Sequence, residues 1–278
     1  MSQFDYLQKI GLDLYVPGES FFHLRHPSIR IIAFILLIIA ITLCDSIIWI
    51  GFFLLLLMAS FLTSKISIQP ILQTTRSGLF FILLIVILQI VIHQAKPGSE
   101  LVLQWMFIRI YDTALIEGCK TFLRIITLIS CIVFFSSIIS SLEINHGMEM
   151  IFRPLQKIGI NTSSINLVIQ IMLRFLPILA IRMEEISKSQ ASRGAEWDAP
   201  RGGFMKRIRL FFPFIIPLFI SSLQQVERTT DAIISRAYGL KTRRTHYYQY
   251  TINFNDFLLL GSALLIVYLG LFPPLKLF

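Results

Sequence analysis

Long apolar runs alternate with short polar breaks along the chain. The runs Ile29–Cys44, Ser46–Thr63, Ser77–Ala95, Lys120–Leu142 and Asn255–Leu271 are rich in Leu, Ile and Phe and show no period-two alternation. Apolar stretches of about 18 residues or more are spanning candidates, and the missing alternation predicts helices instead of barrel strands. The first run is barely long enough to span. Only Asp45 and Ser46 separate it from the second, which predicts a tight helical hairpin. Ahead of it, Pro17-Gly18 is a turn signal and Ser28 a candidate helix cap. Lys96-Pro97-Gly98 breaks the third run. Residues 99–118 then mix Trp105, Phe107, Ile108 and Tyr111 with Glu100, Arg109, Asp112 and Glu117, the pattern of an interfacial amphipathic segment.

The pattern changes from Glu143 onward. Glu143–Gly159 predicts a short amphipathic helix with Met148, Ile151 and Leu155 on one side. Two long helical patterns follow, over 165–194 and 203–239, each apolar at its start and charged toward its end. The cluster Asn161-Thr162-Ser163-Ser164 is the expected cap of the first. A continuous helix from Ser163 to Arg193 would reach about 46 Å, more than the roughly 30 Å of a bilayer's hydrocarbon core. Pro177 in the first helix, and Pro213 and Pro217 in the second, supply bends by removing backbone donors. The expected fold is an all-α integral membrane protein, with about five transmembrane helices plus long cytoplasm-facing helices bent at prolines. Its segments are an N-terminal cytoplasmic or interfacial stretch (1–28), transmembrane helices 1–4 (29–142), a long-helix module (143–245) and a C-terminal transmembrane helix (246–278).

Composition agrees. The chain is 55% hydrophobic and 15% charged, against about 25% charged residues in soluble domains. A formal net charge of +9 would raise nucleic acid as a partner of a soluble protein. Here it follows the excess of Lys and Arg in cytoplasmic loops. Arg182–Arg209 holds seven basic and four acidic side chains, and Glu227–Arg244 five basic and two acidic. This face is therefore assigned to the cytoplasm together with the N-terminus, and no nucleic-acid partner is expected. Cys44, Cys119 and Cys131 show no paired spacing, and His23, His26, His93, His146 and His246 no metal-type spacing. No basic region leads directly into an apolar run with a small-residue cleavage site, so no signal peptide is expected. There is no Gly-rich loop with Lys-Ser/Thr either, so the chain is not expected to bind ATP.

Both long patterns close on an arginine beside a residue that can stop a helix, as Ser192-Arg193-Gly194 and Ser235-Arg236-Ala237-Tyr238-Gly239. Gly194 and Gly239 suit left-handed caps, and an arginine in the last turn suits the negative end of the helix dipole. Read singly, each site is an ordinary stop with a snorkelling arginine. Read as a pair at two helix ends, they favour a grip on carboxylates or carbonyls of a partner. Together with HLRHPSIR at His23–Arg30 and LRFLPIL at Leu173–Leu179, the paired motifs resemble the transmembrane T component of energy-coupling-factor (ECF) uptake transporters. In that family two Ala-Arg-Gly motifs end two long coupling helices. This chain carries Ser192 and Ser235 in place of Ala, and Ala237 in place of the second Gly.

The resemblance implies a non-catalytic membrane subunit of a vitamin or metal-ion importer. Its implied partners are two ATP-binding-cassette ATPase subunits, a substrate-binding membrane S component and membrane lipid. ATP and magnesium would be bound by the ATPases and no cofactor by this chain, with Arg193 and Arg236 each docking into one ATPase. Phe175, Phe211, Phe212, Phe214 and Phe219 would line a surface for the S component or pack internally. Arg174, inside an apolar helix, is expected to have a structural partner among Glu143, Glu149 and helix-end carbonyls. Glu184, Glu185 and Lys188 read as a solvated or interfacial face. Glu227 and Asp231 lack the neighbours needed for acid–base chemistry, and Lys241–His246 reads as an anionic-lipid contact. The competing functions are a conventional ABC permease subunit, an intramembrane prenyl- or acyltransferase, and a scaffold. The paired arginine ends argue against the first, and the missing metal or nucleophile constellation against the second.

Overall fold

The computed structural model describes residues 15–18, 20–92, 101–105, 108–159, 162–194, 204–239 and 253–271; for 101–105, 108–110, 155, 157, 163, 204–211 and 214 it describes only the backbone. The elements in chain order are α1 (Pro27–Leu43), α2 (Ile47–Ser64), α3 (Gln69–Ile92), β1 (Leu101–Trp105), β2 (Ile108–Tyr111), α4 (Asp112–Ile138), α5 (Ser141–Phe152), a 3₁₀ turn (Arg153–Ile158), α6 (Thr162–Ser192), α7 (Phe204–Ser235) and α8 (Phe254–Leu271). Among the described residues, five helices are long and apolar enough to cross a membrane: α2, α3, α4, α6 over 164–192, and α8. α1 is apolar but shorter. The chain is thus an α-helical multi-pass membrane protein, as its pattern predicts.

Several boundaries differ from the sequence expectation for local reasons. α1 starts at Pro27, whose fixed φ suits a first helical position, and His26 stands at the N-cap position without a side-chain capping bond. Ser28 is therefore not the cap; its hydroxyl donates to Gly147 O at 3.2 Å. α3 starts well before the apolar run at Ser77, because Ser67 Oγ accepts the Gln69 N–H and Pro70 fits the first turn. Residues 101–105 and 108–111 pair as antiparallel strands, with Leu103 opposite Ile110 and Trp105 opposite Ile108. The amphipathic mix read over 99–118 is thus a strand pair running straight into α4. α5 opens on a capping box, in which Ser140 Oγ accepts the Glu143 N–H and the Glu143 carboxylate accepts the Ser140 N–H. The expected cap residue Asn161 lies outside the described residues.

The chain divides into two compact units, one holding α1–α5 and α8, the other α6 and α7. In the first, α1 packs on α8, α4 and α5, while α2 and α3 pack on α4. Its core includes Ile41, Ile50, Phe53, Leu57, Phe61, Phe134 and Ile138. Phe34 stacks on Phe135 with ring centroids 4.0 Å apart. Small residues set the closest helix approaches, as expected where lipid is as apolar as Leu and packing has to provide the attraction. A Cβ on Gly270 of α8 would stand 3.3 Å from Ala40 O of α1. One on Gly147 would stand 2.5 Å from Ile31 Cδ1 and 3.2 Å from Pro27 O.

Buried charges fix this unit at one end of α1. Arg30 is 3% exposed; its Nη2 donates to Glu143 Oε1 at 2.8 Å and its Nη1 to Ile138 O at 2.8 Å. Asp256, 1% exposed, accepts the N–H of Asn253 at 2.8 Å and of His26 at 3.2 Å, with Arg25 Nη1 3.9 Å away. The segment ahead of α1 is held to the end of α4 by Val16 N–H donating to Ser137 O at 3.0 Å. At the α1–α2 turn, Arg124 of α4 donates to Cys44 O and lies 3.7 Å from Asp45 Oδ1.

Removing one partner of a buried pair strands the other charge, which costs about 3–5 kcal/mol, whereas replacing both by apolar residues is often neutral. Arg30→Met and Glu143→Met should therefore each lower the thermal midpoint in detergent sharply. The double substitution should recover part of the loss, which a double-mutant cycle of unfolding midpoints would measure.

Candidate functional site: two arginine-capped helix ends

α6 runs 31 residues and α7 32, each continuing through its prolines, Pro177 in α6 and Pro213 and Pro217 in α7. At 1.5 Å per residue each is about 46–48 Å long, as the pattern predicts. The two helices pack on each other.

Their ends share one local design. In α6, Ser192 Oγ donates back to Lys188 O at 3.0 Å, Arg193 N–H to Gln190 O, and Gly194 N–H to Ala191 O, with Gly194 at φ 83°. In α7, Ser235 Oγ donates back to Asp231 O at 2.6 Å, Ala237 N–H to Ile234 O at 2.8 Å and Tyr238 N–H to Ile233 O at 3.3 Å. These last two bonds are the pair that defines a Schellman cap. Ala237 sits at φ 60°, the left-handed position held by Gly194 in α6. Gly239 is also left-handed, at φ 98°, but two residues later. The serine-for-alanine exchange adds a hydroxyl that is spent on the helix's own carbonyl. The alanine-for-glycine exchange keeps the turn at a steric cost of about 1–2 kcal/mol.

Arg193 and Arg236 therefore occupy equivalent positions, the last residue before the left-handed turn. Both are exposed, and among the described residues neither guanidinium has a hydrogen-bond or ion-pair partner. A planar five-donor group presented this way is suited to carboxylates or carbonyls of another chain. Nearby charges on α6 neutralise one another, Arg182 with Glu185 at 2.9 Å and Lys188 with Glu184 at 2.5 Å. Exposed helix pairs of this kind contribute only about 0.3–0.5 kcal/mol.

The other sequence-predicted residues separate. Arg174 is exposed and, among the described residues, has no ion pair. The Glu143 carboxylate is held by Arg30 of its own unit, and it is Arg30 that takes a helix-end carbonyl. Phe175 is half-buried, while Phe212 and Phe219 are exposed; the side chains of Phe211 and Phe214 lie outside the described set. Glu227 and Asp231 are exposed on α7, and Lys241–His246 lie outside the described residues. The sequence reading missed Arg30 and Asp256. Their signal was a charge in the first turn of an otherwise apolar run, the usual mark of an internal pairing site.

A membrane bundle joined to a pair of long, arginine-ended helices defines a narrow class of protein, and sequence comparison agrees with it. Residues 18–247 match the profile of the cobalt transport protein family, CbiQ. Relatives named energy-coupling factor transporter transmembrane protein EcfT align over nearly the whole chain. That of Lactococcus lactis subsp. cremoris (strain MG1363) is 30% identical over 269 residues, covering 95% of this chain and 97% of its own length. Those of Exiguobacterium sibiricum and Clostridium kluyveri are 30% identical over 257 residues and 26% identical over 261, covering 92% and 94% of this chain and 95% of their own length in each case. The chain belongs to the cobalt transport protein family, as a transmembrane T component of the energy-coupling-factor type.

The alanine at the left-handed position yields a direct test. Ala237→Gly should tighten the α7 cap by about 0.5–1 kcal/mol, the relief of the Cβ clash less the added unfolded-state entropy. Amide exchange at residues 237 and 238 should slow by roughly two- to fivefold.

Proposed function

We propose that this chain is the energy-coupling subunit of an ECF-type importer for a vitamin or metal ion. It links two cytoplasmic ATP-binding-cassette subunits to a substrate-binding membrane subunit, and it carries no catalytic centre of its own. The observation that carries this reading is the equivalence of the two helix ends. A helix stop needs neither a free arginine nor the same serine–arginine–left-handed turn at two places.

In this reading Arg193 and Arg236 each enter a groove of one ATPase subunit, with Ser192, Gly194, Ser235, Ala237 and Gly239 setting the angle of entry. A capped helix end is stiff, so movement of an ATPase is carried into the helix instead of being absorbed in a loop. α6 and α7 are packed together, and closure of the two ATPases therefore changes the angle between them. The exposed apolar side chains along both, Ile165, Val168 and Met172 on α6 and Phe212, Ile216 and Phe219 on α7, give a non-directional surface. A substrate-binding membrane subunit can rest on such a surface and tilt without breaking hydrogen bonds. The helix ends lie on the cytoplasmic side in this arrangement, in keeping with the basic excess around them, and ATP and magnesium stay with the ATPases.

Co-purification from detergent with the ATPase subunits tests the proposal. Arg193→Glu and Arg236→Glu should each weaken the complex and together abolish it, while the chain stays folded and membrane-inserted. Undiminished ATPase binding by the folded double variant would reduce both motifs to helix caps.

A further inference from the structure

The unit built from α1–α5 and α8 holds a half-open cavity of about 160 Å³ between α1, α2, α4 and α8. Its wall is almost wholly apolar, with Ala33, Phe34, Leu57, Phe134 and Ile266 facing one another across it. The polar groups in the wall are committed elsewhere. Ser60 Oγ donates to Leu56 O at 2.9 Å and Ser262 Oγ to Leu259 O at 2.8 Å, each within its own helix. Arg30 at one end is spent on Ile138 O and Glu143. Its Nε–H has no partner but is inaccessible, so a molecule in the cavity does not reach it.

A buried water needs about two to four polar partners, and a cavity of about 150 Å³ without them stays dry and takes up apolar molecules. This cavity meets that description, and its opening indicates what fills it. Ser262, a wall residue, is exposed on α8. Leu258 and Leu265, one turn before and after it on the same helical face, are exposed as well, at 54% and 58%. α8 is one of the membrane-spanning candidates. The mouth therefore opens on hydrocarbon and not on water.

We propose that this cavity is a binding site for the acyl chain of a membrane phospholipid, which enters beside Ser262 and packs between α1, α2, α4 and α8. Hydrophobic transfer does not drive the binding, because the chain leaves one apolar medium for another. The gain is dispersion: wall atoms around an empty void have no partners on one side, and an acyl chain supplies them. Such a lipid is part of the bundle's packing and should survive detergent treatment that strips the annular layer.

The experiment is native mass spectrometry of the full-length chain after stepwise delipidation in mild detergent. The unaltered chain is compared with Ser262→Trp, which blocks the mouth from an exposed position, and with Ala263→Leu, which fills the cavity. Thermal unfolding reports the fold of each. The unaltered chain should keep a phospholipid that resists delipidation, and both folded variants should lose it severalfold more readily. Should Ala263→Leu fail to fold, Ser262→Trp alone decides. A lipid-free unaltered chain would overturn the assignment, even if its cavity takes up xenon under pressure. Equal lipid retention in the folded blocked variant would overturn it too.

Discussion

The body of this protein depends on a guanidinium that has nowhere else to go. Arg30 lies in the first turns of an apolar helix and is withdrawn from solvent, a placement that is costly unless its donors are engaged. The fold engages them by bringing two other elements to the same point. α4 stops where Ile138 O can accept from Nη1, and α5 starts where Glu143 can accept from Nη2. The same carboxylate caps α5 by accepting the Ser140 N–H. One acidic side chain thus starts a helix and neutralises a buried base. The close approach that this demands is made possible by Gly147, which leaves room for the backbone of Pro27. Asp256 plays the corresponding part for α8, capping that helix through Asn253 and holding it to the start of α1 through His26.

These arrangements explain which parts of the fold were legible in the sequence. The spans were readable because a bilayer imposes one requirement, about twenty apolar residues, and α2 and α8 meet it nearly where the runs fall. The α6 end was readable too, because a glycine after a charged turn marks a stop. Long-range pairing was not readable. Arg30 and Glu143 lie 113 positions apart and His26 and Asp256 lie 230 apart, and nothing in the local sequence of either residue selects its partner. Arg174 looked like the buried charge because it is flanked by apolar residues on both sides. Arg30 stands nearer a run's edge, where a charge is ordinary. Flanking composition reports the medium around a helix, not the face on which a side chain lies.

The strand pairing of 101–105 with 108–111 was not legible for a related reason. Alternating aromatic, aliphatic and charged residues over so short a stretch satisfy an interfacial helix and a twisted strand pair about equally well. The pairing of β1 with β2 settles the choice by satisfying backbone groups within the segment itself. At the helix ends the difficulty was a substitution instead of a period. Ala237 stands where glycine would cost nothing, yet the chain adopts the left-handed turn there with both Schellman bonds formed. The turn is specified by the helix end as a whole, by Arg236 before it and the two backbone bonds across it, and tolerates a Cβ.

The two units stand in contrast in how they hold themselves together. The first has an interlocked core and buried ion pairs, and it has the means to keep one geometry. Among the described side chains, the buried residues of α6 are Thr162, Asn166 and Ser187, all polar, and none of α7 is buried. Their large apolar side chains point outward instead, Ile169, Leu176 and Ile181 on one helix and Ile215, Ile220 and Val226 on the other. Two helices that bury so little apolar surface gain little from their own contacts, and the angle between them is weakly determined by this chain alone. Hydrocarbon or protein has to cover them, and whatever covers them takes part in setting that angle. For a rigid scaffold this would be a defect. For a part whose proposed work is to pass on a change of angle it is a requirement, since a helix pair locked by its own core would resist the motion it has to transmit.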